Sequence, residues 1–336
     1  MHARAVSRVI GLGFLAVAGA FGAARADETS ELRLVPFPKQ VRMQSGTFAL
    51  NRPLVLEAPA AAAERFAGQL AKDLAIGEMR APQTRAAEGR GPWFRLSPKA
   101  GGAAPVAEFR KEAGEEEYVL EVRPDEIICS AAGQPGLYYG LQTLRQLIRA
   151  NRRGDGLPVL EIRDWPSLRW RCYQDDMTRG PSSKLDTLKL EVLLGSEMKM
   201  NLFTYYMEHQ YAFKKHPAIG PANGSLTPED LAALVEYARP LGVDILGNQQ
   251  SFGHFYHILK HDEYAELREN ESILCPVKEE SYRLLDDLYS EVCPLLPFPW
   301  FNVCCDETWG LGEGPSKALA EKIGVGGVYV QHMRRV

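Results

Sequence analysis

Two neighbouring acids, Asp306 and Glu307, are the residues of this sequence best suited to chemistry. They follow an apolar run that ends at Cys305 and is typical of a buried strand, and they precede Trp309 and a glycine-rich turn. Side chains on a regular strand alternate between its faces, so the two acids can share one site only where the strand breaks into a loop. Apolar residues before the pair and an aromatic residue and glycines after it favour such a break.

The types of these residues suggest acid–base chemistry. A carboxyl group beside an aromatic wall such as Trp309 is partly desolvated, which would raise its pKa and keep it protonated as a general acid. A second carboxylate alongside can stay charged and hold a substrate dipole. The alternative is that Asp-Glu is an ordinary surface dipeptide at a strand end, because perturbed acids mark active sites only statistically.

Length and charge narrow the possible functions. The chain has 336 residues, enough for two domains or one large one. Its net charge of −4 argues against a nucleic-acid-binding surface and gives no electrostatic reason for binding a membrane surface. The six cysteines lack the spacing of a disulfide framework or a zinc site, so we expect most of them to be small buried residues.

Residues 1–26 have the features of a signal peptide. Arg4 and Arg8 form a basic start, residues 9–23 are apolar, and residues 24–26 fit the small-x-small cleavage rule. We therefore expect an exported protein, periplasmic or secreted, whose mature chain begins at Asp27; the alternative is an uncleaved anchor. No later segment is long and apolar enough to cross a membrane.

The rest of the sequence predicts two α/β domains. Residues 27–165 have short strands, an amphipathic helix over 61–75, a hairpin and a helix over 136–150, and residues 163–166 read as a linker. Residues 166–336 alternate strands with helices, which predicts parallel βαβ units. The candidate polar residues fall at the C-terminal ends of these strands, where (β/α)8 barrels place their chemistry, except Arg171, which lies inside the first strand.

Six stretches together resemble glycoside hydrolase family 20, the β-N-acetylhexosaminidases. EYVLEV and GLYYGLQTLRQLI are similar to the small N-terminal domain of that family, and the spacing of Arg171, Asp176 and Arg179 is similar to its RGxxxDxxR motif in strand one. MNLFTYYMEHQYAF resembles strand two. QSFGHFYHILKHDEYAELRE and CCDETWGLGEG are most similar to the hexosaminidase-D-like branch. The resemblance covers nearly all of the mature chain.

The resemblance implies a substrate-assisted retaining mechanism, which departs from the usual scheme of two protein carboxylates. Glu307 would protonate the glycosidic oxygen and later act as base toward water. The 2-acetamido carbonyl of the sugar would attack its own anomeric carbon, while Asp306 would orient the acetamide and stabilise its positive charge. The expected partner is a glycan with a terminal N-acetylglucosamine or N-acetylgalactosamine, and neither a metal nor an organic cofactor is expected.

Four further residues complete the predicted substrate-binding set. Arg171 would clamp the outer hydroxyls of the sugar with its fork of donors, or it would instead form an ion pair with a neighbouring Asp. His254 matches a Gly-His motif and would support the acids, or it would be a structural histidine behind them. Trp309 and Asp176 are the other two members of the set.

The spacing of His254, His257 and His261 could also place three imidazoles on one face for a metal. We do not favour this interpretation, because no carboxylate is clearly placed to complete the site.

Two departures from the family pattern remain. Gln250 and Tyr206 stand where many members carry Asp and His, which leaves the preferred sugar open. The sequence also predicts only about four β/α units of a TIM-type barrel that needs eight. We therefore expect a truncated portion of a longer enzyme, with open strand edges and little stability or activity by itself.

Three functions stay open at this point. The first is an exported exo-β-N-acetylhexosaminidase. The second is a non-catalytic glycan-binding or vestigial barrel. The third is a family-84-like hydrolase that uses Asp175 and Asp176 as its acid pair. The sequence does not indicate whether the sugar is gluco- or galacto-configured, and it does not indicate an oligomeric state.

Overall fold

The structure is a computed structural model that describes residues 31–87, 91–105 and 107–336. The predicted signal peptide, residues 1–26, lies outside the described residues. Among the described helices, none is long and apolar enough to span a membrane.

The first sheet is mostly antiparallel. Its strands are β1 (Gln40–Ala49), β2 (Val55–Ala58), β3 (Gln83–Ala86), β4 (Trp93–Ser97), β5 (Tyr118–Val122), β6 (Ile127–Ala131) and β7 (Gly156–Asp164). The seven strands lie in the order β1-β7-β5-β6-β4-β2-β3, and only the β2–β3 pair is parallel. Two helices, α1 (Ala60–Ala75) and α2 (Gln134–Ala150), contact this sheet and each other. Leu141, Leu144 and Leu147 of α2 are fully buried, as their helical spacing predicts.

Strand β3 lacks the sequence pattern of a buried strand. All four residues of β3 are exposed, and the strand pairs only with β2 at the edge of the sheet. An edge strand with no buried face has no alternation of apolar and polar residues, so the sequence pattern gave no sign of it.

The second sheet is parallel. Its strands are β8 (Cys172–Asp176), β9 (Leu202–Tyr206), β10 (Asp244–Asn248) and β11 (Phe301–Asn302), in the order β11-β10-β9-β8. The helices of this part are α3 (Leu185–Glu197), α4 (Pro228–Ala238), α5 (Tyr256–Leu259), α6 (Glu279–Val292) and α7 (Lys317–Arg335, kinked at Gly324). The α/β class is confirmed, with β8 and β11 at the edges of the described sheet.

A local sequence motif, a capping box, fixes the N-terminus of helix α4. The hydroxyl of Thr227 accepts a hydrogen bond from the backbone N–H of Asp230 at 3.0 Å, and the Asp230 carboxylate accepts one from the backbone N–H of Thr227 at 3.1 Å. This capping box satisfies two free donors at the start of the helix, so the helix begins where the Thr-Pro pair predicts.

Short 3₁₀ turns connect several of these elements, at Lys111–Glu116, Arg239–Leu241, Asp262–Leu267 and Cys293–Leu295.

Buried ion pairs join the two sheets. The ammonium of Lys199, just before β9, donates to Asp164 at 2.9 Å and to the Tyr118 hydroxyl at 2.8 Å. Burial lowers the pKa of Lys199, although Asp164 acts in the opposite direction. Arg145 of α2 lies 2.6 Å from Asp73 and 2.9 Å from Glu197. Breaking such a pair would leave an unpaired buried charge, so these contacts fix the first domain against the N-terminal ends of β8 and β9.

Candidate active site

The loop after β11 carries the two acids. Strand β11 ends at Asn302, and three non-glycine residues of the loop have left-handed backbone: Cys304 with φ 57°, Cys305 with φ 80° and Glu307 with φ 51°. Such conformations cost about 1–3 kcal/mol each and persist only where the surroundings hold them. The two acids therefore lie in a loop, as the sequence predicts, but the strand ends at Asn302 rather than at Cys305, because residues 304 and 305 already have left-handed backbone.

Hydrogen bonds from three directions hold this strained loop. The backbone N–H of Cys304 donates to Asn302 Oδ1 at 3.0 Å, and that of Cys305 donates to Gln250 Oε1 at 3.2 Å. The hydroxyl of Tyr329, on α7, donates to the carbonyl of Cys305 at 3.0 Å. The loop is thus positioned by its own strand, by the segment after β10 and by the following helix.

Asp306 and Glu307 reach the same nitrogen atom. The Nε2 atom of His254 lies 3.3 Å from Asp306 Oδ2 and 3.5 Å from Glu307 Oε2. The amide of Gln250 donates to Asp306 Oδ1 at 2.6 Å. Partial burial opposes the charge of Asp306, but the bonds from Gln250 and His254 outweigh it, so the pKa of Asp306 lies below its usual value.

A buried carboxylate lies behind His254. Arg179 donates to Glu208 Oε1 at 2.8 Å, and its other terminal nitrogen lies 3.1 Å from Nδ1 of His254. Because a guanidinium only donates, Nδ1 accepts, and the ring hydrogen is on Nε2, facing the acids. Glu208 is almost fully buried, which acts against its charge, but the nearby His209 ring at 3.7 Å and the hydrogen bond from Arg179 bring its pKa below the usual value.

Tyr206 closes one side of the site. Gln250 Nε2 also donates to the Tyr206 hydroxyl at 2.7 Å, and the Tyr206 ring packs edge-on against the His254 ring with centroids 6.3 Å apart. The guanidinium of Arg179 lies 5.7 Å above the Tyr206 ring. Gln250 and Tyr206, the two departures from the family pattern, therefore contact each other beside the acids.

The structure does not bring Arg171 to this site, so the prediction that it clamps the sugar is wrong about its location. Its guanidinium donates to Glu116 at 2.6 Å, to the Tyr139 hydroxyl at 2.8 Å and to the Lys199 carbonyl at 2.7 Å. Arg171 precedes β8, and five residues of strand separate it from Asp176 by about 16 Å. The guanidinium therefore joins the two domains at the N-terminal end of the strands.

Asp176 and Trp309 lie at the edge of the site. Asp176 Oδ1 accepts hydrogen bonds from the backbone and hydroxyl of Thr178, the residue before Arg179, at 2.9 and 2.8 Å. Trp309 is 80% exposed, and its backbone carbonyl accepts from Asn270 at 2.9 Å. Its exposed indole does not form the apolar wall that the sequence predicted beside the acids.

The three spaced histidines have different partners. His254 faces the acids, His257 stacks on His209 with ring centroids 4.2 Å apart, and His261 packs edge-on near Tyr264 at 6.4 Å. In residues 31–87, 91–105 and 107–336 no group of three or more His, Cys, Asp or Glu side chains is arranged to hold a metal ion. The residue spacing alone was therefore a poor guide to a metal face.

Four residues of the site were not among the predicted site residues: Gln250 and Tyr206, which the sequence marked only as departures from the family pattern, and Glu208 and Arg179. Glu208 comes two residues after β9, at the strand end where barrel chemistry is expected, and this position was the available signal. Arg179 was part of the strand-one motif, but its role was assigned to Arg171. Arg171 and Asp176 are an odd number of residues apart, so side chains at these positions of a regular strand point to opposite faces. This spacing could have shown that Arg171 does not share a site with Asp176.

Paired acids in a loop after a parallel strand, supported by a histidine and a buried carboxylate, define a glycosidase-type site on a barrel-type sheet. Two family descriptions match the chain: "Glycosyl hydrolase family 20, domain 2" over residues 31–165 and "Glycosyl hydrolase family 20, catalytic domain" over residues 169–322. The chain belongs to glycosyl hydrolase family 20.

Individual relatives agree with this assignment. Hexosaminidase D of Bos taurus is 32% identical over 111 residues, which are 32% of this chain and 32% of the relative. Beta-hexosaminidase of Vibrio furnissii is 23% identical over 328 residues, covering 84% of this chain and 50% of the relative. The chain thus spans half or less of the length of these proteins.

Solved structures share the fold. Flavobacterium johnsoniae chitobiase superposes with a TM-score of 0.68 at 22% identity, over 92% of this chain and 51% of that one. A mutant Streptomyces plicatus beta-hexosaminidase in complex with its product, N-acetylglucosamine, gives a TM-score of 0.70 at 22% identity, over 91% and 62%. At this level of identity the likeness establishes the fold.

Proposed function

We propose that this protein removes terminal, non-reducing, β-linked N-acetylhexosamine from glycans by substrate-assisted retaining catalysis. The single observation that carries the proposal is that Asp306 and Glu307 both lie within 3.5 Å of one nitrogen of His254. The relatives named hexosaminidases support the substrate class, as does a Vibrio harveyi N-acetylglucosaminidase solved with N-acetylglucosamine.

The two acids take different roles. Glu307 gives its proton to the glycosidic oxygen as the bond to the anomeric carbon breaks, and the acetamide carbonyl oxygen bonds to that carbon. Asp306, held as a carboxylate, accepts the acetamide N–H and stabilises the positive oxazolinium. Water then attacks the anomeric carbon and gives a proton to Glu307, and the acetamide is restored.

The surrounding residues orient these groups. Arg179 takes the sugar-clamping role that was expected of Arg171, because its guanidinium is in the site beside Tyr206 and His254. The Nε2–H of His254 faces both acids, at 3.3 Å from Asp306 and 3.5 Å from Glu307. Asp176 lies beside the Arg179 loop, and the exposed Trp309 ring is available for a sugar ring to stack on.

We further propose that the 336-residue chain alone lacks full activity. The Asp306 and Glu307 side chains are 58% and 60% exposed, and the four described barrel-type strands shield the acids from one side. A general acid needs a site that excludes water to reach its full effect. Turnover by this chain at the rate of a whole family enzyme would contradict this proposal.

The experiment is a chromogenic assay with β-N-acetylglucosaminide and β-N-acetylgalactosaminide. Wild type is compared with Glu307→Gln, Asp306→Asn and Asp176→Asn, the last as a matched carboxyl-to-amide control at the edge of the site. We expect Glu307→Gln and Asp306→Asn to lose about 100-fold or more of turnover, and Asp176→Asn to lose less. Normal turnover by Glu307→Gln would overturn the assignment.

Two other functions are outcomes of the same assay. Binding of N-acetylglucosamine without turnover would favour a non-catalytic glycan-binding barrel. The observation in favour of this function is that the side chains of both acids are exposed. Loss of activity in Asp176→Asn alone would favour a family-84-like use of Asp175 and Asp176. Against that use, Asp175 faces Ser183 at 3.4 Å, whereas Asp176 faces Thr178.

We propose export for residues 1–26, on the basic start, apolar middle and small-residue end of that segment. The test is expression of the whole chain in a bacterium, followed by cell fractionation and N-terminal sequencing. We expect an exported product that begins at Asp27, and retention of a variant with Arg4→Glu and Arg8→Glu. An intact N-terminus on the exported protein would favour an anchor instead.

A further inference from the structure

The amide of Gln250 connects more of the site than any catalytic residue does. Its nitrogen donates to Asp306 at 2.6 Å and to the Tyr206 hydroxyl at 2.7 Å, and its oxygen accepts from the backbone of Cys305 at 3.2 Å. The side chain is almost fully buried. We propose that Gln250 is a positioning residue that keeps Asp306 a carboxylate and leaves Glu307 as the proton donor of the pair.

The polarity of the hydrogen bonds supports this proposal. An amide nitrogen only donates, so Asp306 Oδ1 must accept from Gln250, and Oδ2 faces the N–H of His254 at 3.3 Å. Protonation of either oxygen removes the negative charge that strengthens these two bonds, so the two donors favour the carboxylate form of Asp306. Among the described residues no hydrogen bond reaches the Glu307 carboxylate, whose contact with Nε2 of His254 is 3.5 Å.

The hydrogen bonds continue to the second carboxylate. On one side of Asp306, Gln250 donates to the Tyr206 hydroxyl. On the other side, His254 faces Asp306 with one nitrogen and accepts from Arg179 with the other, and Arg179 donates to Glu208 at 2.8 Å. Both carboxylates act only as acceptors in these contacts.

The absence of a charge on the Gln250 amide matters as much as the shape of the side chain. The titratable groups around Asp306 are Tyr206 at the end of β9, His254 after β10, Cys304, Cys305 and Glu307 of its own loop, and Tyr329 of α7. Arg179 and Glu208 lie behind His254. Only Arg179 among them is a permanent cation. A carboxyl group at position 250 would have to share a proton with Asp306, and the charge of Asp306 would then follow the titration of the pair.

This inference rests on the proposed function for its effect on catalysis, but the ionisation of Asp306 is measurable without turnover. The probe is the resonance of the side-chain carboxyl carbon of Asp306 in protein labelled with 13C-aspartate. It is assigned by its loss in Asp306→Asn and followed from about pH 7 to pH 2. We expect Gln250→Leu to raise the midpoint by about one pH unit. The matched control is Gln249→Leu, since buried Gln249 bonds the Glu208 backbone rather than Asp306.

The nearly isosteric Gln250→Glu keeps the test decisive if Gln250→Leu does not fold. We expect Asp306 in that variant to titrate in two coupled steps, with the upper step above the wild-type midpoint. A midpoint for Asp306 that is unchanged in the folded variants would overturn the proposal, whether or not the chain turns over substrate. An equal shift in Gln249→Leu would also overturn it, because the effect would then come from repacking.

If the protein is active, the pH profile gives a second readout. Both Gln250→Leu and Gln250→Glu should move the acidic limb of kcat/KM upward, because in each variant Asp306 keeps its proton to a higher pH. A merely structural role would lower the rate at every pH and leave both limbs in place. Complete inactivity of the wild-type chain would count against the proposed function, while the carboxyl titration would still decide the role of Gln250.

Discussion

Gly253 and Asp306 touch backbone to backbone. A Cβ atom on Gly253 would overlap the carbonyl oxygen of Asp306 and come within 3.2 Å of the carbonyl oxygen of Glu307. The segment that carries Gln250 and His254 can therefore approach the loop of the acids only because residue 253 has no side chain. This contact sets the distance from His254 to both acids.

Replacing Gly253 with Ala should push these two segments apart. We expect the free energy of unfolding to fall by roughly 1–3 kcal/mol, as for other overpacked sites, and the Asp306 titration to shift toward its ordinary value. Urea unfolding and the carboxyl resonance measure the two effects. Gly180→Ala, where a Cβ meets no atom within 4 Å, should stay within about 0.5 kcal/mol of wild type. Equal effects of the two changes would contradict this account.

A buried carboxylate organises the loop after the acids. Glu269 accepts hydrogen bonds from the backbone of Gly312, Gly314 and Ser316 at 3.2, 3.1 and 3.0 Å, and from the Ser316 hydroxyl at 2.7 Å. An amide in its place offers only one acceptor oxygen and turns a donor toward the Ser316 N–H or its neighbours.

Glu269→Gln should therefore destabilise the protein by roughly 1–3 kcal/mol. Urea unfolding gives the total, and hydrogen exchange should show faster exchange of the amides of residues 312, 314 and 316. Glu266→Gln is the matched control, because the Glu266 side chain is 92% exposed and its pair with Lys278 lies at the surface. Unchanged exchange of those three amides in Glu269→Gln would show that the carboxylate does not hold the loop.

His332 makes the stability of this region depend on pH. It is fully buried, stacks on Phe252 and donates to the carbonyl of Ser251 at 2.9 Å. Burial lowers its pKa to about 4. An unfolded histidine titrates near pH 6.5, so the unfolded state takes up a proton first as the pH falls. The stability is complete above about pH 6.5 and is lost between about pH 6.5 and pH 4.

The loss should amount to about 3 kcal/mol between pH 7 and pH 4. Urea unfolding at these two pH values measures it. His332→Gln keeps a donor for Ser251 but cannot titrate, so the difference between the two pH values should shrink by about that amount. The same difference in wild type and variant would rule out His332 as its source.

Arg179 and Arg171 provide a matched pair that separates the site from the domain contact. Arg179→Lys replaces the planar fork, whose two terminal nitrogens reach Glu208 and His254 separately, with one nitrogen on a shorter side chain, so we expect binding of N-acetylglucosamine to weaken about tenfold or more. Arg171→Lys should instead lower the free energy of unfolding by roughly 1–3 kcal/mol through its lost contacts with Glu116 and Tyr139. NMR titration and urea unfolding give the two readouts. Weaker sugar binding in folded Arg171→Lys would contradict the placement of that residue.

The sequence by itself determined the α/β class, the start of α4, and the loop that carries the acids. These features depend on residues close together in the chain: a capping Thr-Pro pair, the period of apolar residues, and acids next to glycines. The resemblance to the family also depended on such local motifs, and the family matches over residues 31–165 and 169–322 confirm it.

Only the tertiary structure decided which polar side chains meet. Arg171 and Arg179 are eight residues apart in one motif, yet one bonds Glu116 of the first domain and the other bonds Glu208 in the site. Gln250, Tyr206 and Asp306 come from three different strand ends, and His254 joins them from beyond β10. The direction of a side chain at a strand end follows from the register of the neighbouring strands and the path of each loop, which no local pattern specifies.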